Sequence, residues 1–469
     1  MVSEAVIRRL RDEIGSDRVV TSDDDVDGYR HDYWVLSHLV SWQGTYTDRP
    51  GAVVRPRSTA DVQATVRLAS ETGTPVVPFG LGSGVCGGIR PDTSALLIDM
   101  SAMDRVRRID TTNQVAFFDA GVNGLVAEEA VAEQGLTIGH WPQSIAVSSV
   151  GGWISTRAAG QFSTAYGGVE DMVHSIEVVL PDGDMVVLGK APRAAAGPDL
   201  RHLFIGAEGT MGIVTGVALA LHRQPEQREF RVYHTPSLAA GLEVQRQILQ
   251  TGWLPPVMRQ YDVRETRRTF RQWSTDAHGM LLMVHEGPAG RVAAETEAVD
   301  ALAGQGGLVR ADDDVASHWM QNRNHVVAWN EFFEQGLIVD TIEIAASWSA
   351  IEAVYDDVIA EVGAVDGVAS ISAHSSHAYR TGVNLYFSFA ARADDPTGLE
   401  AAYLECWHRV MEATARHGGG IAHHHGIGRI RRPYLVHDLG ETGVTLLRTV
   451  HGAIDPKGLM NPGNLIPDA

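Results

Sequence analysis

The run His423-His424-His425-Gly426-Ile427-Gly428, preceded by Gly418-Gly419-Gly420, is the densest group of proton-active side chains in the chain. Imidazole titrates near neutrality and both accepts and donates protons, which suits it to take a hydroxyl proton as hydride leaves the adjacent carbon. If the segment is extended, alternation sends His423 and His425 to one face and His424 to the other. Three readings stay open on these residues alone: proton transfer, a transition-metal site, or a solvated turn. Adjacent histidines rarely converge on one ion, and no acid or thiol at ligand spacing supports them. Tyr379 and Tyr386 share one segment at an odd interval of seven, so on a regular strand they face opposite ways and one of them is expected in the core unless a bulge at Gly382 intervenes. Arg259 offers a fixed cation for a carboxylate or polar head group, against the plainer reading of an ion pair with Asp262.

A second chemistry is written in glycine. Gly80-Leu81-Gly82-Ser83-Gly84-Val85-Cys86-Gly87-Gly88 places five glycines in nine positions directly after the predicted strand Val76-Val77. Such a run lets successive backbone N–H groups face one concavity and hold a pyrophosphate without a side chain. Gly82-x-Gly84-x-x-Gly87 spells the dinucleotide fingerprint, with Asp99 near the place of its ribose acid, but that fingerprint needs a helix to start at the glycines. Ile89-Arg90-Pro91-Asp92 interrupts and another strand follows, which disfavours a nicotinamide-binding unit. Two further stretches, Gly139–Gly160 and Gly206–Ile213, again pair small residues with hydroxyls.

The elements that must position these groups follow from periodicity. Helices are predicted over 5–14, 59–72, 125–134, 237–250, 290–304, 350–361 and 442–454, and strands over 52–54, 75–78, 94–100, 114–120, 211–221, 280–285 and 384–390. A hairpin over 173–188 turns at Pro181-Asp182-Gly183. The mixture of elements changes near residue 224.

At 469 residues, two or three domains are expected. Two cysteines, Cys86 and Cys406, are too few for a disulfide framework or thiolate metal site. With 38 basic against 58 acidic residues, a net charge of −20 opposes binding to nucleic acid. No membrane span or secretory signal is readable, so a cytoplasmic address is the default expectation.

Four ordered motifs, Pro78 to Gly84, Pro142-x-Ser144 with Val150 to Gly160, Phe204 to Ile213, and Asp455-Pro456 through Asn461-Pro462-Gly463, resemble the FAD-linked oxidases of the vanillyl-alcohol oxidase superfamily. The resemblance implies an α+β fold: a PCMH-type two-subdomain FAD-binding domain over 1–224, a cap domain over 225–435 with an antiparallel sheet and flanking helices, and a C-terminal segment over 436–469 that returns to the cofactor. By position, Gly80, Leu81, Gly82, Ser83, Gly84 and Val85 would hold the pyrophosphate, with Pro78 also at the cofactor. Pro142, Ser144, Ser149, Gly152, Ser155, Gly160 and Ile213 would line the rest, with Glu208, Gly209 and Asn461 nearby. The glycine loop lacks the histidine that tethers flavin in some relatives, so FAD is expected without a covalent bond.

Metal-dependent members that oxidise 2-hydroxy acids carry histidines where this chain has Tyr379 and Tyr386, and a glutamate where it has His424. No metal is expected here. The triple histidine and Tyr379-x-Thr381-Gly382 are most similar to the alkyldihydroxyacetonephosphate synthases, which use FAD without net redox change. In that resemblance Tyr379 is the acid/base group, His424 and His425 are essential, and Arg259 lines the pocket. Trp329 falls where those synthases place a phosphate-gripping arginine, with Arg323 six residues away. The expectation is an FAD-dependent oxidoreductase that takes hydride from a hydroxyl-bearing carbon onto flavin N5, with His424 or His425 and Tyr379 handling the proton. The alternatives are a synthase-like transferase and a cofactor-scavenging binding protein. A small-molecule substrate is the expected partner and a homodimer is compatible with this reading. Neither the substrate nor the electron acceptor is named by the sequence.

Overall fold

The computed structural model describes residues 1–467, so the last two residues of the expected C-terminal segment lie outside the described residues. A four-stranded sheet is ordered Val19–Val20, Ala52–Val54, Leu96–Asp99, Val76–Phe79, with the last three strands parallel. The crossover that parallel pairing requires is the helix Thr59–Thr72. It starts where Ser58 Oγ accepts from Asp61 N at 3.2 Å and stops at left-handed Gly73. Beside it, a five-stranded antiparallel sheet is ordered Val106–Asp110, Val115–Asp119, Ile213–Ala220, Val173–Val179, Met185–Leu188. One apolar core joins the two sheets.

From Gln227 the chain builds a seven-stranded antiparallel sheet, in the order Val309–Arg310, Gln227–Thr235, Gly279–Gly287, Val257–Tyr261, Val368–His374, Gly382–Arg392, Leu337–Ser347. Alternation explains which side chains it offers to the site. Met258, Ile342, Ile344, Ile371, Ala373, Leu385 and Phe387 pack under the helices Leu238–Gln250, Ile351–Gly363 and Pro396–Arg416. The alternate residues Arg259, Tyr261, His374, Tyr386 and Glu343 therefore share the opposite face. Cross-strand register sets four of them in one row: Tyr261 opposite His374, His374 opposite Tyr386, and Tyr386 opposite Glu343.

Two connections cross between these parts. Trp34, Val35, Leu36 and Leu39, around the helix Val35–Trp42, pack in the core under the seven-stranded sheet although they belong to the N-terminal third of the chain. After the helix Leu435–Ile454, whose Leu447, Val450 and Ile454 pack on the N-terminal core, the tail returns to the first sheet. There Val76 N donates to Leu459 O at 2.8 Å and Asn461 N to Val76 O at 2.7 Å. Among the described residues no helix is long and apolar enough to cross a membrane. Cys86 and Cys406 are buried free thiols.

Candidate functional site

The glycine loop after Val76–Phe79 is anchored on one side and open on the other. Asp32, buried, accepts from Gly88 N at 2.8 Å, and Tyr33 N donates to Gly84 O at 2.7 Å. Burial pushes the Asp32 carboxyl up to about 7. The amides of Leu81, Gly82, Ser83, Gly84 and Val85, by contrast, donate to no protein acceptor among the described residues. Gly82 lies at φ +72°, in the left-handed region that disfavours any side chain. A row of uncommitted donors on a glycine loop fits a pyrophosphate.

The other two glycine stretches meet this loop. A Cβ on Gly80 would lie 2.5 Å from Ser149 Oγ, and one on Gly209 would lie 2.3 Å from Pro78 Cγ. Ser149 caps the helix Val150–Thr156 by accepting from Gly152 N at 3.2 Å, and Ser155 Oγ donates to Gly151 O at 3.0 Å. A Cβ on Gly160 would sit 2.5 Å from Trp141 N, so that turn lies against the backbone just before Pro142. Ile213 opens its strand in the buried core. Asn461 Nδ2 donates to Gly88 O at 3.0 Å and to Glu208 O at 2.8 Å, tying the tail to both loops. Glu208 itself turns away from solvent: it accepts from Ile427 N, from Gly428 N at 2.9 Å and from Asn464 Nδ2 at 3.0 Å. Burial raises its carboxyl.

The histidine run is not extended. Residues 423–425 form a bend, and their amides turn inward on the Glu343 carboxylate, with His425 N at 3.0 Å and His424 N at 3.4 Å. Arg431, fully buried, pairs with Glu343 at 3.0 Å. Burial alone would raise the Glu343 carboxyl, but Arg431, the imidazoles and these amides together hold it below its usual value. The alternation expected for the three rings fails for this reason: His423 and His424 meet, Nδ1 to Nδ1 at 2.7 Å.

Both tyrosines reach this pair. Tyr386 Oη lies 2.6 Å from His424 Nε2, and Tyr379 Oη lies 2.7 Å from His423 Nε2. The expectation that one of them is core is thus overturned. Tyr379 lies in a turn ahead of the strand Gly382–Arg392, with its N–H on Gly382 O at 2.8 Å, so strand parity does not govern it. Burial pushes the Tyr386 phenol well above its ordinary range. It pushes His423 down to about 4 and His425 to about 3, with His424 and His377 also well below the usual value, so the rings are neutral at pH 7.

His377, absent from the residues picked out by sequence, completes the cluster. Its Nδ1 lies 2.6 Å from Ser163 Oγ of the N-terminal region, and its ring stacks on His423 at 4.8 Å. Nothing local marks it, because its neighbours Ser375 and Ser376 carry no ligand spacing. His377, His423 and His424 each bring a ring nitrogen within 4.8 Å of the others, a geometry open to a metal ion. Ser163, Tyr379 and Tyr386 already occupy one nitrogen of each ring.

Arg259 is 9% exposed, its Nε donates to Tyr261 Oη at 2.7 Å, and its guanidinium lies 5.4 Å from the Trp319 ring centre. Among the described residues it has no carboxylate partner. Asp262 instead caps the helix Val263–Thr269 and accepts from Ala373 N at 2.7 Å. Trp329 stacks obliquely on Tyr33 and donates its indole N–H to Tyr33 O at 3.3 Å, while Arg323 lies over Trp141 and Phe162.

The arrangement matches known proteins along its whole length. An FAD binding domain family matches residues 50–189, and the family of FAD linked oxidases, C-terminal domain, matches residues 224–465. The chain is 32% identical to the uncharacterized FAD-linked oxidoreductase YgcU of Escherichia coli K12, over 99% of this chain and 98% of that protein. It is 30% identical to alkyldihydroxyacetonephosphate synthase of Trypanosoma brucei brucei, over 89% of this chain and 73% of that protein. Its fold is similar to a solved alkyldihydroxyacetonephosphate synthase, with a TM-score of 0.83 at 24% identity over 98% of this chain and 86% of that one. It is also similar to 4-ethylphenol oxidase from Gulosibacter chungangensis, with a TM-score of 0.79 at 20% identity over 100% of this chain and 98% of that one. With an α+β PCMH-type fold and a cradle of free amides to receive the cofactor, the chain belongs to the FAD-linked oxidases, and its cofactor is FAD.

Proposed function

We propose that the protein oxidises the hydroxyl-bearing carbon of a small alcohol carrying a carboxylate, a 2-hydroxy acid being the simplest case, without a metal and without a covalent flavin bond. The observation that carries this reading is the Tyr386–His424 hydrogen bond of 2.6 Å on the sheet face that also bears Arg259, which has no carboxylate partner among the described residues. FAD, when bound, supplies the hydride acceptor. Arg259 is suited to bind the carboxylate, since a buried guanidinium without an anionic partner gains most from one. A substrate hydroxyl bonded to the Tyr386 oxygen loses its proton there as the Tyr386 proton passes to neutral His424. Because burial keeps the phenol protonated, Tyr386 transmits the proton and His424 is the base. Gly80 to Val85 hold the pyrophosphate in this reading. Ser163 and Glu343 fix the rings, and Ser149 and Ser155 stay with their local partners.

A second reading, a transferase like the Trypanosoma relative, is favoured by the shared match over most of the chain and by Tyr379 beside the triple histidine. Against it stands Trp329, engaged with Tyr33 where the resemblance calls for a phosphate-binding arginine. Anaerobic mixing with a panel of 2-hydroxy acids and alcohols separates the two. Lasting flavin bleaching by a hydroxyl compound supports oxidation. Alkyl-for-acyl exchange on acyl dihydroxyacetone phosphate, with the flavin oxidised at the end, supports the transferase.

A further inference from the structure

We infer that Tyr386, His424, His423 and Tyr379 form one proton relay that carries the substrate's hydroxyl proton from the inner sheet face to water. The inference rests on the oxidation reading above. Its basis is an unbroken chain of three hydrogen bonds, Tyr386 Oη to His424 Nε2 at 2.6 Å, His424 Nδ1 to His423 Nδ1 at 2.7 Å, and His423 Nε2 to Tyr379 Oη at 2.7 Å. Both nitrogens of each ring are used. A neutral imidazole has one N–H and one lone pair, so a chain of this kind has only two self-consistent polarities, one the reverse of the other.

The proton bookkeeping closes. The alcohol gives its carbon-bound hydrogen with two electrons to the flavin and its hydroxyl proton to the Tyr386 oxygen. Tyr386 passes its own proton to His424 Nε2, His424 passes its Nδ1 proton to His423, and His423 passes its Nε2 proton to the Tyr379 oxygen. Tyr379 then releases its original proton to water. One proton enters, one leaves, and every side chain ends neutral in the reversed polarity.

The two ends differ as a relay requires. Tyr386 stands in the inner row beside His374, in stacked contact at 4.9 Å, on the face that carries Arg259. Tyr379 is 36% exposed and is followed by exposed Arg380 and Thr381. Between them, the charged and titratable groups facing the two imidazoles are Glu343, Arg431, His425, His377 and Arg157. Burial lowers both imidazoles, so neither is a resting place for charge. Glu343, through the amides of the bend, and His377, through its stack on His423, hold the rings in line. Glu343 and His377 are positioning residues in this scheme.

The test uses the FAD-loaded enzyme and the hydroxyl compound that bleaches it, with a pH-indicator dye in weak buffer. In the wild type the proton reaches the dye with the same rate constant as bleaching. Bleaching in mixed H2O/D2O gives a bowed proton inventory, since several protons move together. His423→Phe slows bleaching on the order of 100-fold, the lower end of what a positioned proton acceptor contributes. Tyr379→Phe, at an exposed position that does not threaten folding, delays proton release behind bleaching. Without substrate, strongly downfield imidazole N–H resonances in the proton NMR spectrum disappear in His423→Phe and shift in Tyr379→Phe. Wild-type bleaching in His423→Phe, with a straight inventory in the parent, overturns the relay and leaves oxidation standing. If His423→Phe loses FAD, proton release that keeps pace with bleaching in Tyr379→Phe overturns it instead. A wild type bleached by no hydroxyl compound removes the oxidation reading underneath.

Discussion

Glu343→Gln is the most informative perturbation of the scaffold, because one neutralised oxygen strikes two roles. The carboxylate is fully buried, pairs with fully buried Arg431 at 3.0 Å, and receives the amides of the histidine bend. Removing one partner of a buried pair costs about 3–5 kcal/mol, because the other charge is left uncompensated. Arg431 keeps only neutral acceptors, Gly426 O at 2.9 Å and Glu343 O at 3.0 Å among them. The amide nitrogen of the glutamine adds a clash of donors with the His423 or His425 N–H. For a folding unit of about 200 residues, where 1 kcal/mol shifts Tm by roughly 2–4 °C, a fall of about 6–20 °C follows. Scanning calorimetry at one fixed rate on the FAD-loaded protein reads it. Glu343→Gln with Arg431→Met in one chain recovers part of the loss, since replacing both charges of a buried pair is close to neutral. A Tm within about 2 °C of wild type for the single variant, well under one 3 kcal/mol penalty, refutes the reasoning. So does a double variant as unstable as the sum of the singles.

Other outcomes follow from the same geometry. His424→Ala loses about 100-fold or more in flavin reduction while FAD content is unchanged, read by stopped-flow and by the bound flavin spectrum. Arg259→Met raises KM for an acidic substrate roughly 10- to 100-fold, the equivalent of one charge-assisted hydrogen bond, and moves kcat much less. Gly80→Val pushes the loop off Ser149, where even a Cβ comes to 2.5 Å, and the protein purifies colourless. Stability also depends on pH. His374 is held down to about 4 by burial, so its share of stability is present above the unfolded value near 6.5 and is lost as pH falls from there through 4. Urea midpoints at pH 7.5, 5.5 and 4 measure this, and a flat profile contradicts it.

The cradle was readable in the sequence because its chemistry demands a residue type: only glycine lets a loop point its amides at one anion, so Gly80 to Gly88 announces itself. The row on the inner sheet face was not. Tyr261, His374, Tyr386 and Glu343 come from four strands far apart in sequence, and only register sets them side by side. Glu343 lies in the strand Leu337–Ser347, which periodicity does not predict, and neither does it predict the 21-residue helix Pro396–Arg416 despite Asp395-Pro396 as a start signal. The two wrong expectations about the rings share one cause. Both applied strand alternation to segments that leave the strand geometry, the bend at 423–425 around Glu343 and the turn at Tyr379.

The central claim is that this FAD-linked enzyme withdraws hydride from a carbon bearing a hydroxyl. Carbonyl product per bound flavin, measured anaerobically in one turnover with substrate deuterated at that carbon, addresses it most directly. One carbonyl is expected for each flavin reduced, with bleaching slowed by the deuterium. Product formed while the flavin remains oxidised, or bleaching indifferent to the label, contradicts it.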